Sequence, residues 1–559
     1  KVADSVNIAI AASESIQEPV VSIGGMAALI TGSATSWGAI REMISGDLDG
    51  SIGFTINYMD MAGNDGTQST QTSDNSDVVF DKTPPTLSIS IVSDNPTTYL
   101  AKPGDLVTLS VSVDEVLFSA PTISIDTNSE TVNPSAQASS YSAGRTMVAD
   151  DTQGDIAFVV GGISDLAGNT INDVTATTDA SNVSFDSVLP TVTDLTIASN
   201  NNYDSDNTTS LAKSGDTVTV SFYTSETIQT PVSTIAQGTA EISGSDAAWA
   251  SAILMDDTDP DGDVAFTVDY KDLAGNEGAQ ATAITAGSDV TYDDTSPTIS
   301  SVSIASNNAV TTLAKAGDIV TISFTSNEDL YVLDDVSVVG QSVDEALITK
   351  TSGTAWTFDY VLTDTDTEGD VDFSFISNDL TGNNTTTNQA DNGSVLFDRT
   401  PPALTAVTIV SDNDYDNQLA MVGDQITVNF ATSEVVQDPP TVTIGGNNAT
   451  VSGSNQSWSA VFTMTDTDAE GAVEFTIDYL DLASNQGTQG TVTTNGSSIR
   501  FDRTPPLLAS VSLVSDNAYD SSLAKLGDEL TITFTTDEVV QTPIVTISGS
   551  SAIVSGDSI

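Results

Sequence analysis

A short marker recurs along this 559-residue chain at nearly equal intervals. FDRTPP occurs at Phe397–Pro402 and Phe501–Pro506. Its relatives are FDKTPP at Phe80–Pro85, FDSVLP at Phe185–Pro190 and YDDTSP at Tyr292–Pro297. A Gly-Asp pair follows each marker and opens a β-rich run. Counting Asp4 of Ala3-Asp4 as the first, the Asp residues of these pairs are 101, 111, 102, 106 and 104 residues apart. A fixed period of this length predicts a tandem array of one kind of domain.

The period divides the chain into six predicted repeats. They are repeat 1 (1–82), repeat 2 (83–187), repeat 3 (188–294), repeat 4 (295–399), repeat 5 (400–503) and repeat 6 (504–559). The alignment of Asp4 with Asp528 indicates that repeat 1 lacks its opening strand. Repeat 6 is partial, and we expect the sequence to be a piece of a longer protein.

The pattern within one repeat is that of short strands. Apolar and polar residues alternate over Ile319–Phe324, which is typical of a strand with one face in a core. A second strong strand is predicted at Val264–Tyr270. About seven such strands, separated by Gly, Asn, Asp and Pro, predict an all-β immunoglobulin-like sandwich. The loops are named by that template: AB before the Gly-Asp strand, BC after it, EF before the second strong strand, and FG after that strand. The recurring marker is called the link.

Composition restricts the classes of partner and of chemistry that the chain can have. The chain has 78 Asp and Glu against 13 Lys and Arg, for a formal charge of −65, which disfavours nucleic acid and anionic membranes and attracts cations. It has no Cys and no His, so thiolate metal sites and the commonest general base are missing. No apolar stretch is long enough to predict a membrane span. Every acid constellation is repeated, whereas an active site is expected once, so we predict that the chain is not an enzyme.

Three sets of acids recur in the loops at one end of each predicted sandwich. Loop BC supplies a Glu, loop FG supplies the Asp of a D-x-A-G-N motif, and the link supplies another Asp. Converging carboxylates repel unless a cation neutralises them, and calcium accepts irregular oxygen sites from loops. The predicted calcium ligands are therefore Glu14, Asp60, Asp81, Glu115, Asp165, Asp186, Glu226, Asp272, Asp293, Glu328, Asp379, Asp398, Glu434, Asp481, Asp502 and Glu538. The alternative is that the Glu and Asp residues only cap turns and bind backbone amides.

Loop EF carries a further run of acids. Its D-x-D-x-[DE]-G pattern matches the first half of an EF-hand loop, but the twelfth position counted from Asp257 is Val268, so the loop is not an EF-hand. Another calcium turn and a solvated acidic hairpin both fit the pattern. The residues concerned are Asp257, Asp259, Asp261, Asp364, Asp366 and Glu368.

Two features of the sequence concern the binding or the attachment of carbohydrate. Trp37, Trp249, Trp356 and Trp458 share one position, which favours a core aromatic over a platform for stacking sugars. Glycosylation sequons begin at Asn207, Asn392 and Asn495 and permit surface glycans.

The whole chain resembles the bacterial Ig-like repeats of giant cell-surface proteins of marine bacteria and archaea. The resemblance is carried by the link FDRTPP, by A-K-x-G-D at Lys102, Lys213, Lys315 and Lys525, by the Ser-Glu of loop BC, and by D-L-A-G-N. It implies an extracellular protein in which interdomain acids such as Asp81, Glu115 and Asp165, or Asp398, Glu434 and Asp481, bind calcium. The expected function is the calcium-stiffened, rod-like stalk of an adhesin. The alternative is a subunit of an S-layer or filament that associates with other copies of itself.

Overall fold

The structure is a computed structural model that describes residues 1–203, 210–437 and 439–556. The chain divides into two compact units, Lys1–Thr295 and Ser296–Ile559. The described residues are almost entirely strands and loops, and their one helical element is a short 3-10 turn at Glu345–Leu347. No helix among them is long and apolar enough to cross a membrane.

The first unit contains the strands of repeats 1 to 3. Those of repeat 1 are Ser5–Ala11 (β1), Val20–Ile23 (β2), Met26–Ala27 (β3), Leu29–Ser33 (β4), Ser36–Glu42 (β5), Gly50–Ser51 (β6), Phe54–Asn57 (β7) and Val79–Phe80 (β8). Those of repeat 2 are Leu87–Ser93 (β9), Leu100–Ala101 (β10), Leu106–Val113 (β11), Thr122–Ile125 (β12), Asn128–Glu130 (β13), Ser140–Thr146 (β14), Gly154–Asp155 (β15), Phe158–Gly161 (β16) and Ser184–Phe185 (β17). Those of repeat 3 are Val192–Ser199 (β18), Leu211–Ala212 (β19), Thr217–Thr224 (β20), Val232–Ile235 (β21), Gly238–Thr239 (β22), Glu241–Ser245 (β23), Ala248–Leu254 (β24), Gly262–Asp263 (β25), Phe266–Asp269 (β26) and Thr291–Tyr292 (β27).

The second unit contains the strands of repeats 4 to 6. Those of repeat 4 are Ile299–Ser306 (β28), Leu313–Ala314 (β29), Ile319–Ser326 (β30), Leu330–Val338 (β31), Gln341–Ser342 (β32), Ile348–Lys350 (β33), Ala355–Val361 (β34), Gly369–Asp370 (β35), Phe373–Asp379 (β36), Asn384–Thr387 (β37) and Leu396–Phe397 (β38). Those of repeat 5 are Leu404–Ser411 (β39), Leu419–Ala420 (β40), Gln425–Thr432 (β41), Thr441–Ile444 (β42), Asn447–Asn448 (β43), Thr450–Ser454 (β44), Ser457–Thr463 (β45), Gly471–Ala472 (β46), Phe475–Asp478 (β47) and Arg500–Phe501 (β48). Those of repeat 6 are Leu508–Ser515 (β49), Leu530–Thr536 (β50), Thr546–Ile547 (β51) and Ser550–Ser551 (β52).

Repeat 2 shows how the sequence builds one sandwich. One antiparallel sheet has the order β14-β11-β9 and the other has the order β13-β12-β16. Along β11 the residues Val107, Leu109 and Val111 are buried, while the intervening Ser110 is exposed. The apolar residues of both sheets form one buried core that includes Ile89, Ile123 and Phe158. Strict alternation on half-buried strands therefore produces the predicted two-layer packing.

Equivalent cores lie within repeats 3, 4 and 5, and the prediction of an all-β, Ig-like tandem fold is confirmed. The predicted strand Val264–Tyr270 is shorter in the structure, where it covers Phe266–Asp269 (β26). The preceding Gly262–Asp263 (β25) pairs with Thr291–Tyr292 (β27) in a separate small sheet.

This small sheet fixes the beginning of each link. In repeats 2 to 5 the aromatic residue of the marker lies on the central strand of this sheet and is almost fully buried, as in Phe185 and Phe501. In repeat 2 the strand pairs in parallel with Leu100–Ala101 (β10) and antiparallel with Gly154–Asp155 (β15). The first residue of the marker is thus part of the core of its own repeat, and the chain leaves that core at the Asp which follows.

Candidate metal centres

The link Asp is held by hydrogen bonds of its own repeat. The N–H of Asp186 donates to the carbonyl of Ala101 at 2.8 Å, and that of Asp398 donates to Ala314 at 2.9 Å. One carboxylate oxygen accepts the backbone N–H two residues further on, at 2.9 Å from Val188 to Asp186 and at 3.0 Å from Thr400 to Asp398. This turn leaves the second carboxylate oxygen available to a ligand.

The FG Asp belongs to a tight, buried turn. In repeat 3 the two carboxylate oxygens of Asp272 accept the N–H of Asn276 at 2.9 Å and its side-chain amide at 2.7 Å. The turn requires the positive φ of Gly275, 90°. Asp165 and Asp481 make the same two bonds with Asn169 and Asn485. These Asp side chains are at most 1% exposed.

The BC Glu lies near the FG Asp and the link Asp because hydrogen bonds connect loop BC to the residue that follows the link. In repeat 2 the carboxylate of Asp114 accepts the N–H of Thr86 at 2.9 Å and its hydroxyl at 2.7 Å. Glu115 follows Asp114 directly. Among the described residues the carboxylates of Glu115, Glu226 and Glu434 have no hydrogen-bond donor.

The three acid sets meet at three junctions, each of which lies wholly within one of the two units. They are Asp81 with Glu115 and Asp165, Asp186 with Glu226 and Asp272, and Asp398 with Glu434 and Asp481. In each, one ligand oxygen per residue lies within 4.8 Å of the others. The second junction forms even though its link, FDSVLP, departs from the marker.

The electrostatics of these clusters are unfavourable without a cation. Burial raises the pKa of Glu226 above its ordinary value, and the charges of Asp186 and Asp272 raise it further. Burial and the two neighbouring Asp residues likewise raise the pKa values of Glu115 and Glu434. Burial also raises the pKa of Asp481, despite its bonds to Asn485.

Each cluster joins two consecutive repeats, and a hydrogen bond crosses the same boundary. The side-chain amide of the FG Asn donates to the backbone carbonyl of the preceding link Asp, at 3.0 Å for Asn169 to Asp81, 3.0 Å for Asn276 to Asp186 and 2.8 Å for Asn485 to Asp398. A cavity of about 360 Å³ opens beside the second cluster and is lined by Asp186 and Glu226.

A second bond across the junctions involves a residue that the sequence did not single out. Asn95 of loop AB donates to the carbonyl of Ala274 in the next repeat at 2.8 Å, and Asn308 donates to that of Ala483 at 2.9 Å. Both Asn side chains also bond to the Asp of their own Gly-Asp pair. Asn follows Ser by two residues in Ser93–Asn95, Ser306–Asn308 and their equivalents, a pattern that by itself is typical of a turn and not of a contact between repeats.

The remaining predicted ligands are placed as follows. Glu14 and Asp60 both line a cavity of repeat 1, and hydrogen bonds from Asn64 lower the pKa of Asp60. The pKa of Glu538 is raised by burial and then by Asp502 and Asp537, which places Glu538 near the link Asp. Asp293 belongs to the first unit, whereas Glu328 and Asp379 belong to the second, so their meeting stays a prediction.

The EF-loop acids lie in none of the clusters formed within a unit in the described part of the chain. Asp261 accepts the N–H of Asp294 at 3.0 Å and the hydroxyl of Thr295 at 2.6 Å, and Glu368 accepts the same groups of Arg399 and Thr400 at 3.0 and 2.6 Å. Hydrogen bonds from the Thr hydroxyls therefore lower the pKa values of Asp261 and Glu368. Asp259 and Asp366 accept backbone N–H groups of their own loop. Asp257 and Asp364 lie two residues before them in the same loops.

Three of the four tryptophans lie in or against the cores of their repeats. Trp356 and Trp458 are buried in the cores of their repeats, and Trp249 packs against a third core. The indole N–H of Trp458 donates to the carbonyl of Asn455 at 3.2 Å. Among the sequons, Asn207–Thr209 lies outside the described residues.

Comparison with known proteins finds solved structures of low sequence identity and low TM-score. No protein-family model and no curated protein matches the chain. Similar solved structures include a fragment of the ICAM-5 ectodomain, domains D1 to D4, with 13% identity, 75% of this chain and 100% of that chain covered, and a TM-score of 0.25. The human desmocollin-1 ectodomain matches with 10% identity, 87% and 93% coverage and a TM-score of 0.22. The extracellular domain of protocadherin GammaB4 matches with 9% identity, 88% and 79% coverage and a TM-score of 0.22.

Proposed function

We propose that this chain is a non-enzymatic extracellular structural protein whose Ig-like repeats bind calcium at their junctions and form the stalk of a cell-surface adhesin. The observation that carries the proposal is the recurring junction cluster. Each cluster takes one carboxylate from the end of one repeat and two from the next. A cation bound there would hold both repeats at once.

The donor set fits calcium. Calcium binds oxygen ligands at about 2.3–2.6 Å, so oxygens within 4.8 Å of one another can all contact one ion. At an effective dielectric constant of about 20, two unit charges about 5 Å apart repel by roughly 3 kcal/mol. A divalent ion turns that repulsion into attraction. The cavity beside Asp186 and Glu226 leaves room for the water ligands that complete the coordination of calcium.

The residues around the cluster determine what the ion would do. The N–H and side-chain amide of the FG Asn hold the FG carboxylate in place, and the same amide binds the link carbonyl. The prolines of the link restrict its backbone. Calcium would therefore fix the relative position of two repeats whose junction is already partly ordered. Fixed junctions would make a chain of small domains stiff.

Similar junctions favour a stalk over a lattice subunit. The junctions between repeats 1 and 2, 2 and 3, and 4 and 5 use the same three residue types and the same bond from FG Asn to link carbonyl. A stalk that only sets a distance can use the same junction between all its repeats, whereas a lattice subunit needs particular lateral contacts at particular repeats. The net charge of −65 also concentrates cations along the chain.

Counting bound ions tests the calcium part of this proposal. The full chain, stripped of metal with chelating resin, is dialysed against radioactive calcium at low salt, and at least three ions should bind. The variant Glu226→Gln should lose one ion. The EF-loop variant Asp261→Asn is the matched control and should lose none. Absence of binding, or equal losses in the two variants, would refute the junction sites.

Imaging tests the stalk. The natural protein is labelled on its own cells and viewed by electron cryotomography. Isolated fibres that project from the surface are the expected result, and they should become more curved in chelator. A continuous ordered coat would instead establish the lattice alternative.

A further inference from the structure

The FG turn of repeat 3 is attached to repeat 2 at two separate points. At the end of the turn, the side-chain amide of Asn276 donates to the carbonyl of Asp186 in the link at 3.0 Å. In the middle of the turn, the carbonyl of Ala274 accepts the side-chain amide of Asn95 from loop AB at 2.8 Å. Ala274 is only 3% exposed. The turn that carries Asp272 is therefore fixed both to the link and to loop AB of the preceding repeat.

The junction between repeats 4 and 5 has the same two attachments. Asn485 donates to the carbonyl of Asp398 at 2.8 Å, and Asn308 of loop AB donates to that of Ala483 at 2.9 Å. Ser484 replaces the Gly of the D-x-A-G-N motif in this turn and has a φ of 71°. The pair of bonds is thus present even where the motif itself varies.

Asn95 is itself fixed within loop AB. Its N–H donates to the hydroxyl of Ser93 at 3.1 Å, its side-chain oxygen accepts the N–H of Thr97 at 3.0 Å, and its side-chain amide donates to Asp105 at 2.7 Å. Asn95 is 5% exposed. An Asn side chain offers two N–H groups and one oxygen, whereas the carboxylate of an Asp offers no donor. The residue type therefore satisfies one bond inside the loop and one bond across the junction together.

The bond inside the loop recurs along the chain. In five AB loops the side-chain amide of an Asn donates to the Asp of the Gly-Asp pair. The pairs are Asn95 with Asp105, Asn201 with Asp216, Asn308 with Asp318, Asn413 with Asp424 and Asn517 with Asp528. Two junctions within a unit contain both an AB loop and the FG turn that follows it, and both have the bond to the FG Ala. The Asn is therefore a property of the repeat type and not of one junction.

These bonds set the FG carboxylate and the link against each other without an ion. The carboxylate of Asp272 is fixed within its turn by Asn276, and the turn is fixed to repeat 2 through Asp186 and Asn95. A site whose ligands are held in place before binding loses less conformational freedom than one that the ion must assemble. The bond from Asn95 should thus add to the affinity for calcium, although Asn95 is not a ligand.

We propose that Asn95 and Asn308 are positioning residues of the junction sites. Each holds the FG turn of the next repeat in the place where the FG Asp meets the link Asp and the BC Glu. The proposal rests on the proposed function, because the site that these residues position is the calcium site. Loss of the Asn should lower the affinity of one junction for calcium and leave all of its ligands in place.

A calcium titration followed by amide hydrogen exchange measures each junction of the full chain separately. The FG segments are residues 268–280 in repeat 3 and 477–489 in repeat 5. In Asn95→Ala the calcium concentration that half-protects the repeat 3 segment should rise about tenfold, because one ordering hydrogen bond is lost. The midpoint of the repeat 5 segment should stay unchanged. Asn308→Ala should give the reverse, and both variants should bind as many ions at saturation as the unaltered chain.

The matched control is Ser93→Ala. This substitution removes a hydrogen bond within the same AB loop but leaves both N–H groups of the Asn95 side chain in place. It should shift the midpoint of the repeat 3 segment by less than about twofold. Equal shifts in Ser93→Ala and Asn95→Ala, or a shift of both FG segments in Asn95→Ala, would overturn the proposal.

Exchange in chelator separates the positioning of the turn from the binding of calcium. Without metal, the repeat 3 segment should exchange at least about threefold faster in Asn95→Ala than in Ser93→Ala, because the turn has lost one of its two attachments. If this difference is present but no junction responds to calcium, the proposed function fails and the positioning by Asn95 stands. Equal exchange of the two variants in chelator would refute the positioning, whether or not calcium binds.

Discussion

The junction acids and the EF-loop acids look alike in the sequence but differ in their surroundings. Glu434 lies close to Asp398 and Asp481 and receives no donor among the described residues, and burial followed by these charges raises its pKa. Glu470 of the EF loop accepts the N–H of Arg503 and the hydroxyl of Thr504, and its pKa is lowered, chiefly by the bond from Thr504.

The difference is one of hydrogen-bond donors and not of acid density. The carboxylate of Glu470 accepts two donors of its own repeat, whereas that of Glu434 accepts none in the described part of the chain and faces two other carboxylates, an arrangement that a cation would stabilise. The EF-loop acids thus attach the link to its own repeat, and the junction acids are left to act across the boundary. Within one motif the difference is burial: Asp60 and Asp481 accept the same two bonds from Asn64 and Asn485. Hydrogen bonds lower the pKa of the half-buried Asp60, whereas burial raises the pKa of Asp481.

The largest effect is expected from Asp481→Ala. The substitution leaves the N–H and side-chain amide of Asn485 without their carboxylate partner in a buried turn, and it should destabilise repeat 5 by about 3 kcal/mol in chelator. In calcium the loss should be larger, because the junction also loses a ligand. Amide hydrogen exchange of the segment around residues 475–490 in the full chain measures the loss. Asp60→Ala is the control and should cost about 1 kcal/mol, because water can reach the donors of that turn. Equal losses would mean that burial does not distinguish the two turns.

Calcium itself should have the next largest effect. At a hundred times its dissociation constant, an ion that binds only the native junction stabilises it by about 2.7 kcal/mol. Exchange of the FG segments of repeats 2, 3 and 5 should slow accordingly when calcium replaces chelator. The FG segment of repeat 1, which has Asp60 but no preceding link among residues 1–82, is the internal reference. If all four segments slow alike, the effect is general screening of charge.

The period, the strands and the convergence of the acids could be predicted from the sequence, because each follows from spacing and alternation. Loops BC and FG had to lie at one end of a sandwich, and the link had to arrive there. What could not be predicted is which acids find donors. The partners of Glu470 lie 33 and 34 residues away in sequence, and those of Asn95 and Asn308 lie in the next repeat, so they depend on packing that no local pattern encodes.

A smaller loss is expected from Glu470→Gln. The amide keeps the shape of the side chain but loses the charge that strengthens its bonds to Arg503 and Thr504, at a cost of about 1 kcal/mol. The loss should be the same in calcium and in chelator, as measured by exchange of residues 500–506. Glu474→Gln removes an exposed charge from the same repeat and should change stability little. A loss for Glu470→Gln that appears only in calcium would place this residue among the ligands and remove the distinction drawn between the two acid sets.

The smallest effect has the opposite sign. In chelator, Glu434→Gln removes one of three mutually repelling charges and breaks no hydrogen bond, so it should stabilise the junction of repeats 4 and 5 by about 0.5 kcal/mol. In calcium it removes a ligand, so the stabilisation that calcium gives to this junction should shrink while that of the junction between repeats 2 and 3 is unchanged. Exchange of the FG segments of repeats 3 and 5, recorded in both conditions, reports the two signs in one experiment. Destabilisation in chelator would mean that Glu434 caps its turn, which is the alternative that the sequence left open. A carboxylate that destabilises the junction in chelator and stabilises it in calcium acts as a ligand of the ion and not as a structural element of the fold.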